Sequence, residues 1–393
     1  YNSGVLAYNP LLPANAQSWS YRLTAGADFS AVDFHQVRGL AGLDANSGSL
    51  LLGKNYGTNV FTPIGGNAST SNAVSTRFQV IRTGSGDIDI SAGRDVKLLN
   101  QFATIYTAGT RVADPTVLPG GTFDLPTPDA SGAESFLGGV QQATPYTPQY
   151  SMAGGNVSIH AQNDLIHQTV IGGLLTADSS KQLPNNWLYR RGYIDPATGE
   201  FGISNFGEVA STTWWVDFSN FFEGVGALGG GDVTLIAGND VSNVDGLVAT
   251  NARMAKGAPG ELFELGGGDL VVRAGHDING GVYYVERGNG TLNAGNEIKT
   301  NLTRSPSRQN LVTPNEYLSE ENWLPTTFFL GKGNLSVSAS GNVLMGPVAN
   351  PFLLPGGFNN SFWYKTYFST YAPDNAVDVT SLGGSVTFRQ AAT

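Results

Sequence analysis

The sequence predicts an all-β solenoid, built from short stacked strands with long loops emerging at the corners. Three observations lead there. A motif rich in Gly and Asp recurs along the chain and carries apolar residues at every second position. The copies are unevenly spaced, as in a stack that tolerates insertions. The composition suits such a stack: 52 glycines in 393 residues, 40% hydrophobic residues and only 13% charged ones. The usual charged share is about 25% and the usual glycine share about 7%.

The copies follow in order. Arg22-Leu23-Thr24-Ala25-Gly26-Ala27-Asp28 keeps only the second half of the motif. Gly86-Asp87-Ile88-Asp89-Ile90-Ser91-Ala92-Gly93-Arg94-Asp95-Val96 is complete, and Gly155-Asn156-Val157-Ser158-Ile159-His160-Ala161 is a weaker copy. Gly231-Asp232-Val233-Thr234-Leu235-Ile236-Ala237-Gly238-Asn239-Asp240-Val241 and Gly268-Asp269-Leu270-Val271-Val272-Arg273-Ala274-Gly275-His276-Asp277-Ile278 are the clearest. Gly290-Thr291-Leu292-Asn293-Ala294-Gly295-Asn296-Glu297-Ile298 is shortened, and Gly333-Asn334-Leu335-Ser336-Val337-Ser338-Ala339 is weak. Gly383-Gly384-Ser385-Val386-Thr387-Phe388 reads as the opening of another unit, so residues 1–393 are expected to be one segment of a longer protein.

Each copy has a physical logic. Alternation of apolar and polar residues gives a strand with one buried and one wet face. Gly with Asp or Asn then turns the chain, because these residues tolerate positive φ and cap turns with their side chains. A second short strand follows, as in Val96-Lys97-Leu98. One such unit cannot bury its apolar face, whereas stacked units can. Insertions are expected at about 111–150, with six prolines, and at 177–226, 304–330 and 347–378, which hold most of the tryptophans. With roughly 25–30 residues per coil, about 13–15 coils would form a rod of roughly 65–70 Å.

Composition also excludes. There are no cysteines, hence no disulfides, no thiolate catalysis and no cysteine zinc site. The net charge of −10 argues against nucleic acid, whose phosphates require a basic stripe. No run of apolar residues is long enough to span a bilayer as a helix.

The repeats Gly229-Gly230-Gly231-Asp232-Val233-Thr234-Leu235-Ile236-Ala237-Gly238-Asn239-Asp240-Val241 resemble those of filamentous haemagglutinin-type exoproteins of Gram-negative bacteria. Ser18-Trp19-Ser20-Tyr21-Arg22-Leu23-Thr24-Ala25-Gly26-Ala27-Asp28 shares the likeness, as does Phe221 to Gly231 with Val244-Asp245-Gly246 and Thr250-Asn251-Ala252-Arg253-Met254. The resemblance implies a right-handed parallel β-helix, two-partner secretion through an outer-membrane transporter, and a secreted or cell-surface adhesin. Its motifs specify architecture rather than activity.

Candidate chemistry is weighed against structural roles. The corner residues are Asp87, Asp95, Asn156, Asp164, Asp232, Asp240, Asp269, Asp277, Asn334 and Asn342. Asn cannot replace a catalytic acid but can replace a turn residue, so their interchange favours turns over glycoside hydrolysis. Trp187, Tyr189, Trp214, Trp215, Trp363 and Tyr364 are candidate ligand contacts that could stack on sugars. Packing of the insertions is the competing and weightier role. Arg190 and Arg191 are the only adjacent arginines, a candidate contact for an acidic glycan. The glycines around Val225 and those around Leu50-Leu51-Leu52 imitate nucleotide-binding motifs, but strand patterns replace the helix those motifs need. No cofactor and no resident metal are expected; the four histidines lack ligand spacing, and calcium would be incidental. The expectation is a non-enzymatic adhesin or matrix shaft that contacts glycans or cells and self-associates into fibres. A polysaccharide-acting enzyme and the stalk of a toxin-delivery exoprotein are the alternatives.

Overall fold

The computed structural model describes residues 11–53, 79–99, 103–112, 150–171, 174–176, 187–191, 213–216, 224–254, 262–300, 326–351 and 372–389, with isolated residues and short strand pairs between. These residues are all-β: one short 3-10 turn, Leu40–Gly42, interrupts the strands, and no α-helix occurs among them.

The recurring motif forms the first sheet. Its eight strands are Tyr21–Ala25, Ile88–Ala92, Val157–Ala161, Val233–Ala237, Leu270–Ala274, Asn289–Ala294, Asn334–Ala339 and Val377–Ser381, side by side in chain order. Every pair is parallel and in register, so the strand-ending alanines form one column from Ala25 to Ala339, with Ser381 last. Alternation sets the faces. Ile88, Ile90 and Ala92 are buried while Asp89 and Ser91 are not. A small side chain suits the column next to the corner, where the chain turns inward.

The strand after each corner adds to a second parallel line: Leu50–Leu52, Val96–Leu98, Leu165–His167, Val241–Ser242, Ile278–Asn279 and Ile298–Lys299, then the start of Val343–Ala349, then Val386–Phe388. Val386–Phe388 is therefore the second strand of a repeat rather than the opening of a new one. A third line comprises Gln79–Thr83, Ala103–Thr107, Val225–Ala227, Gly246–Val248, Val282–Val285 and Thr326–Leu330. Val343–Ala349 spans both lines, with a register shift where it meets Thr326 to Phe328, and joins them into one fourteen-stranded sheet. Isoleucine, valine, leucine and alanine columns from all three lines meet in a continuous core.

From Ala103–Thr107 to Thr326–Leu330 the third line is buried on both faces. Inward, Ile105, Val225, Tyr283 and Phe328 join the main core. Outward, Tyr106, Leu247, Tyr284 and Phe329 pack against Trp187, Trp214, Phe218 and Phe221 from the excursions. The excursions supply an antiparallel four-stranded sheet of Leu188–Arg191, Thr213–Val216, Thr250–Met254 and Leu262–Gly266. Phe221 meets Trp187 edge-on at 5.1 Å and Tyr106 at 5.2 Å, the geometry aromatic quadrupoles favour.

The expected insertion limits shift accordingly. Val225 and Gly226, the end of 304–330, and both ends of 347–378 belong to parallel strands. The excursion placed at 177–226 already begins with the hairpin of Thr169–Ile171 and Leu174–Thr176. Two further excursions were not expected: residues 26–49, and the hairpin from Thr250 to Gly266. Most of 111–150 lies outside the described residues. Among the described residues the first sheet has eight strands rather than 13–15, because the excursions occupy chain that 25–30 residues per coil would assign to the stack.

Candidate functional site

The corner residues stand in two columns, and each side chain binds the backbone of the next strand along. At the first corner the Asp87 Oδ1 accepts the Asn156 N–H at 2.8 Å, and the Asn156 Oδ1 accepts that of Asp232 at 2.9 Å. Asp232 accepts from Asp269 and Asp269 from Asn289, both at 2.8 Å, and Asn334 accepts from Ala376 at 2.9 Å. At the second corner Asp95, Asp164, Asp240 and Asp277 accept the backbone N–H groups of Asp164, Asp240, Asp277 and Glu297 at 2.9 to 3.2 Å. Asn342 does the same for Ser385 at 3.0 Å. At the first corner only an acceptor oxygen is needed, so Asp and Asn are interchangeable there.

Four column members escaped the sequence reading. Ser20 and Ser49 begin the columns through their hydroxyls, which accept from Asp87 and Asp95. Asn289 and Glu297 stand in the same places, but their side-chain oxygens accept the side-chain amides of Asn334, at 3.5 Å, and Asn342, at 2.7 Å. A signal existed: Glu297 precedes Ile298 as Asp277 precedes Ile278.

A donor column runs beside the second corner. Asn163, Asn239 and Asn296 donate side-chain N–H groups to Asp95, Asp164 and Asp277 at 2.7, 2.8 and 2.8 Å. His276 occupies the equivalent place on Asp240. Cations add to the column: Lys97 pairs with Asp95 at 2.8 Å, and Lys299 binds Asp277. For both acids burial works to raise the pKa. The hydrogen bonds outweigh it: Lys97, Asn163 and the Asp164 N–H lower Asp95, and Lys299, Asn296 and the Glu297 N–H lower Asp277.

The candidate ligand contacts divide. Trp187, Trp214 and Trp215 are buried, at 0%, 1% and 5% exposure, which corrects their assignment as sugar platforms: Trp187 and Trp214 seat the excursions on the third line, and Trp215 packs with Val112, Tyr150 and Leu265. The Trp214 indole donates to the Thr250 hydroxyl at 3.1 Å. Tyr189, Arg190 and Arg191 lie on the strand paired with Thr213–Val216. Trp363 and Tyr364 fall outside the described residues. Among the described residues the exposed large aromatics are instead Trp19, Phe29, Phe34, Phe263 and Phe388. Phe29 and Phe34 project from the excursion at 26–49, whose shape is held by Asp28 binding Ser30 and by Asp33 binding the His35 N–H.

A buried acidic pair also emerges. Glu286 is fully buried, receives the Tyr284 hydroxyl at 2.8 Å, and has Oε1 without a hydrogen-bond partner. Burial, and then the nearby Glu264 charge, push its pKa well above the usual carboxylate range. Glu264 binds Lys332 at 2.6 Å and the Thr250 hydroxyl at 3.0 Å. Two carboxyls in such unlike settings could in principle divide acid and base roles. Here the Gly331 backbone closes over Glu286, where an added Cβ would fall 2.2 Å from the carboxyl.

No known protein family, curated protein or solved structure matches this chain. Among the described residues no helix is long and apolar enough to cross a membrane.

Proposed function

We propose that the chain is a right-handed parallel β-helix forming the shaft of a secreted or cell-surface fibrous exoprotein. The shaft holds loops outward for adhesion or matrix building. The observation that carries this reading is the order of the three strand lines. The chain passes from first to second to third line and returns one strand further along, with every pair parallel. That order lets a loop of any length leave at a corner without breaking the core, the property a display scaffold needs. Contact is then multivalent and shape-based. The exposed Trp19, Phe29, Phe34, Phe263 and Phe388 are the aromatic surfaces available for it among the described residues.

The test is incubation of the chain with a panel of neutral and acidic polysaccharides, scoring retention and new reducing or unsaturated ends together. Retention without cleavage is the expected result. Cleavage would replace this reading with an enzymatic one and direct attention to Glu264 and Glu286. Absence of both signals would leave a spacer in place of an adhesive shaft.

A further inference from the structure

The second corner carries one group that differs from its neighbours. His276 stands between two carboxylates of adjacent strands, with Nδ1 3.2 Å from the Asp240 Oδ1 and 3.4 Å from the Asp277 Oδ2. One donor atom from each of the three residues lies within 4.8 Å of the other two. The asparagines of the same column each hold a carboxylate of the preceding strand at 2.7 to 2.8 Å, and Asn163 also reaches the neighbouring Asp164 at 3.1 Å. His276 faces two carboxylates at 3.2 and 3.4 Å, both longer than the Asn163 contacts, and does so through an imidazole nitrogen, which can ligate a metal where an amide nitrogen cannot. Ligand pairs around a tetrahedral first-row ion, bound at about 2.0–2.2 Å, lie about 3.3–3.5 Å apart. The spacing at His276 is that of metal ligands.

We propose that Asp240, His276 and Asp277 form a binding site for a divalent first-row transition ion such as Zn2+, stapling two successive strands of the stack. One imidazole nitrogen with two carboxylate oxygens suits this class, and a site with so few oxygens is poor for Ca2+. The access is right as well. Asp277 forms a nearly buried floor at 3% side-chain exposure, Asp240 is 27% exposed and His276 55%, so solvent completes the coordination sphere. The Asp240 Oδ1 also accepts the Asp277 N–H, which leaves a second lone pair for the ion. Lys299 lies on the Asp277 Oδ2 and is the competing cation. Its side chain is 43% exposed and can swing outward.

The test is calorimetric titration of the whole chain with ZnCl2, with Co2+ absorption reporting the ligand set. Thermal melts with and without Zn2+ accompany it. The informative variant is His276→Asn, which restores the donor found in the neighbouring strands and removes the ligand. It is expected to melt like the parent without metal, to bind Zn2+ at least about tenfold more weakly, and to lose the Zn2+-induced rise in Tm. Asp240→Asn keeps the backbone acceptor and is expected to weaken binding too. Lys299→Met is expected to tighten it. Unchanged Zn2+ affinity in His276→Asn, or no binding by the parent, overturns the proposal. An unchanged affinity in Lys299→Met overturns the role of Asp277. None of these readouts depends on adhesion, so the two proposals fail separately.

Discussion

At the residue scale, one side-chain acceptor oxygen at each corner performs the structural task. Asp232 illustrates it: its Oδ1 receives the Asp269 N–H, and its own N–H is received by Asn156. Asp232→Asn is expected to leave the melting temperature nearly unchanged, whereas Asp232→Ala should cost about 1 kcal/mol, the net worth of a hydrogen bond. Equal losses in both variants, measured by denaturant titration, would show that charge rather than the acceptor matters. Two buried acids respond to pH in opposite senses. The lowered pKa of Asp277 means its contribution is present above the unfolded-state value and is lost as pH falls through the folded one. Asp277→Asn is therefore expected to destabilise at neutral pH and to match the parent in strong acid. The raised pKa of Glu286 means folding is unpenalised below the unfolded-state value and penalised as pH rises. Glu286→Gln is expected to raise Tm at neutral pH, with the gain vanishing in acid. A pH-independent difference between parent and variant would contradict either assignment.

At the element scale, the corners are set by how closely successive backbones approach. A Cβ on Gly231, whose φ is +103°, would sit 2.3 Å from the Gly155 carbonyl oxygen of the preceding strand. Gly268 faces the Gly231 oxygen in the same way, at 2.2 Å. Gly231→Ala combines an unfavourable φ with a backbone clash and should cost well over ~1 kcal/mol, read as a drop in Tm. The third strand line makes a different demand. Its outer face is covered, so Trp187 and Trp214 act as core residues, and Trp187→Ala should cost about 3–5 kcal/mol. A Trp187 variant that keeps parental stability and loses glycan retention would return this side chain to a binding role.

At the scale of the whole molecule, pairing is entirely non-local within the stack. Val157 pairs with Val233 across one excursion, and Leu335 with Val377 across another. Closing such loops precedes any gain from the contacts they permit, so refolding should be slow, on the order of seconds or longer. Dilution from guanidinium followed by far-UV circular dichroism measures this. Complete recovery within about a millisecond would be incompatible with the strand order described.

Much of this protein is legible in its sequence. The alternation in Asp232-Val233-Thr234-Leu235-Ile236-Ala237 specifies a strand, its buried face and the corner that follows, because a period of two and a turn residue act locally. Recurrence of that pattern identifies the first two strand lines. The third line is not legible: Ala103–Thr107 and Thr326–Leu330 are buried on both faces and carry no alternation to mark them. Their second face is buried only because the excursions fold back over it, and that contact joins residues far apart in the chain. The fate of Trp187 and Trp214 follows from the same contact, since an aromatic side chain suits a core and a sugar equally until its neighbours are known. His276 is decided likewise: sequence shows a solitary histidine, and only the stacking of one strand on the next brings Asp240 to its ring.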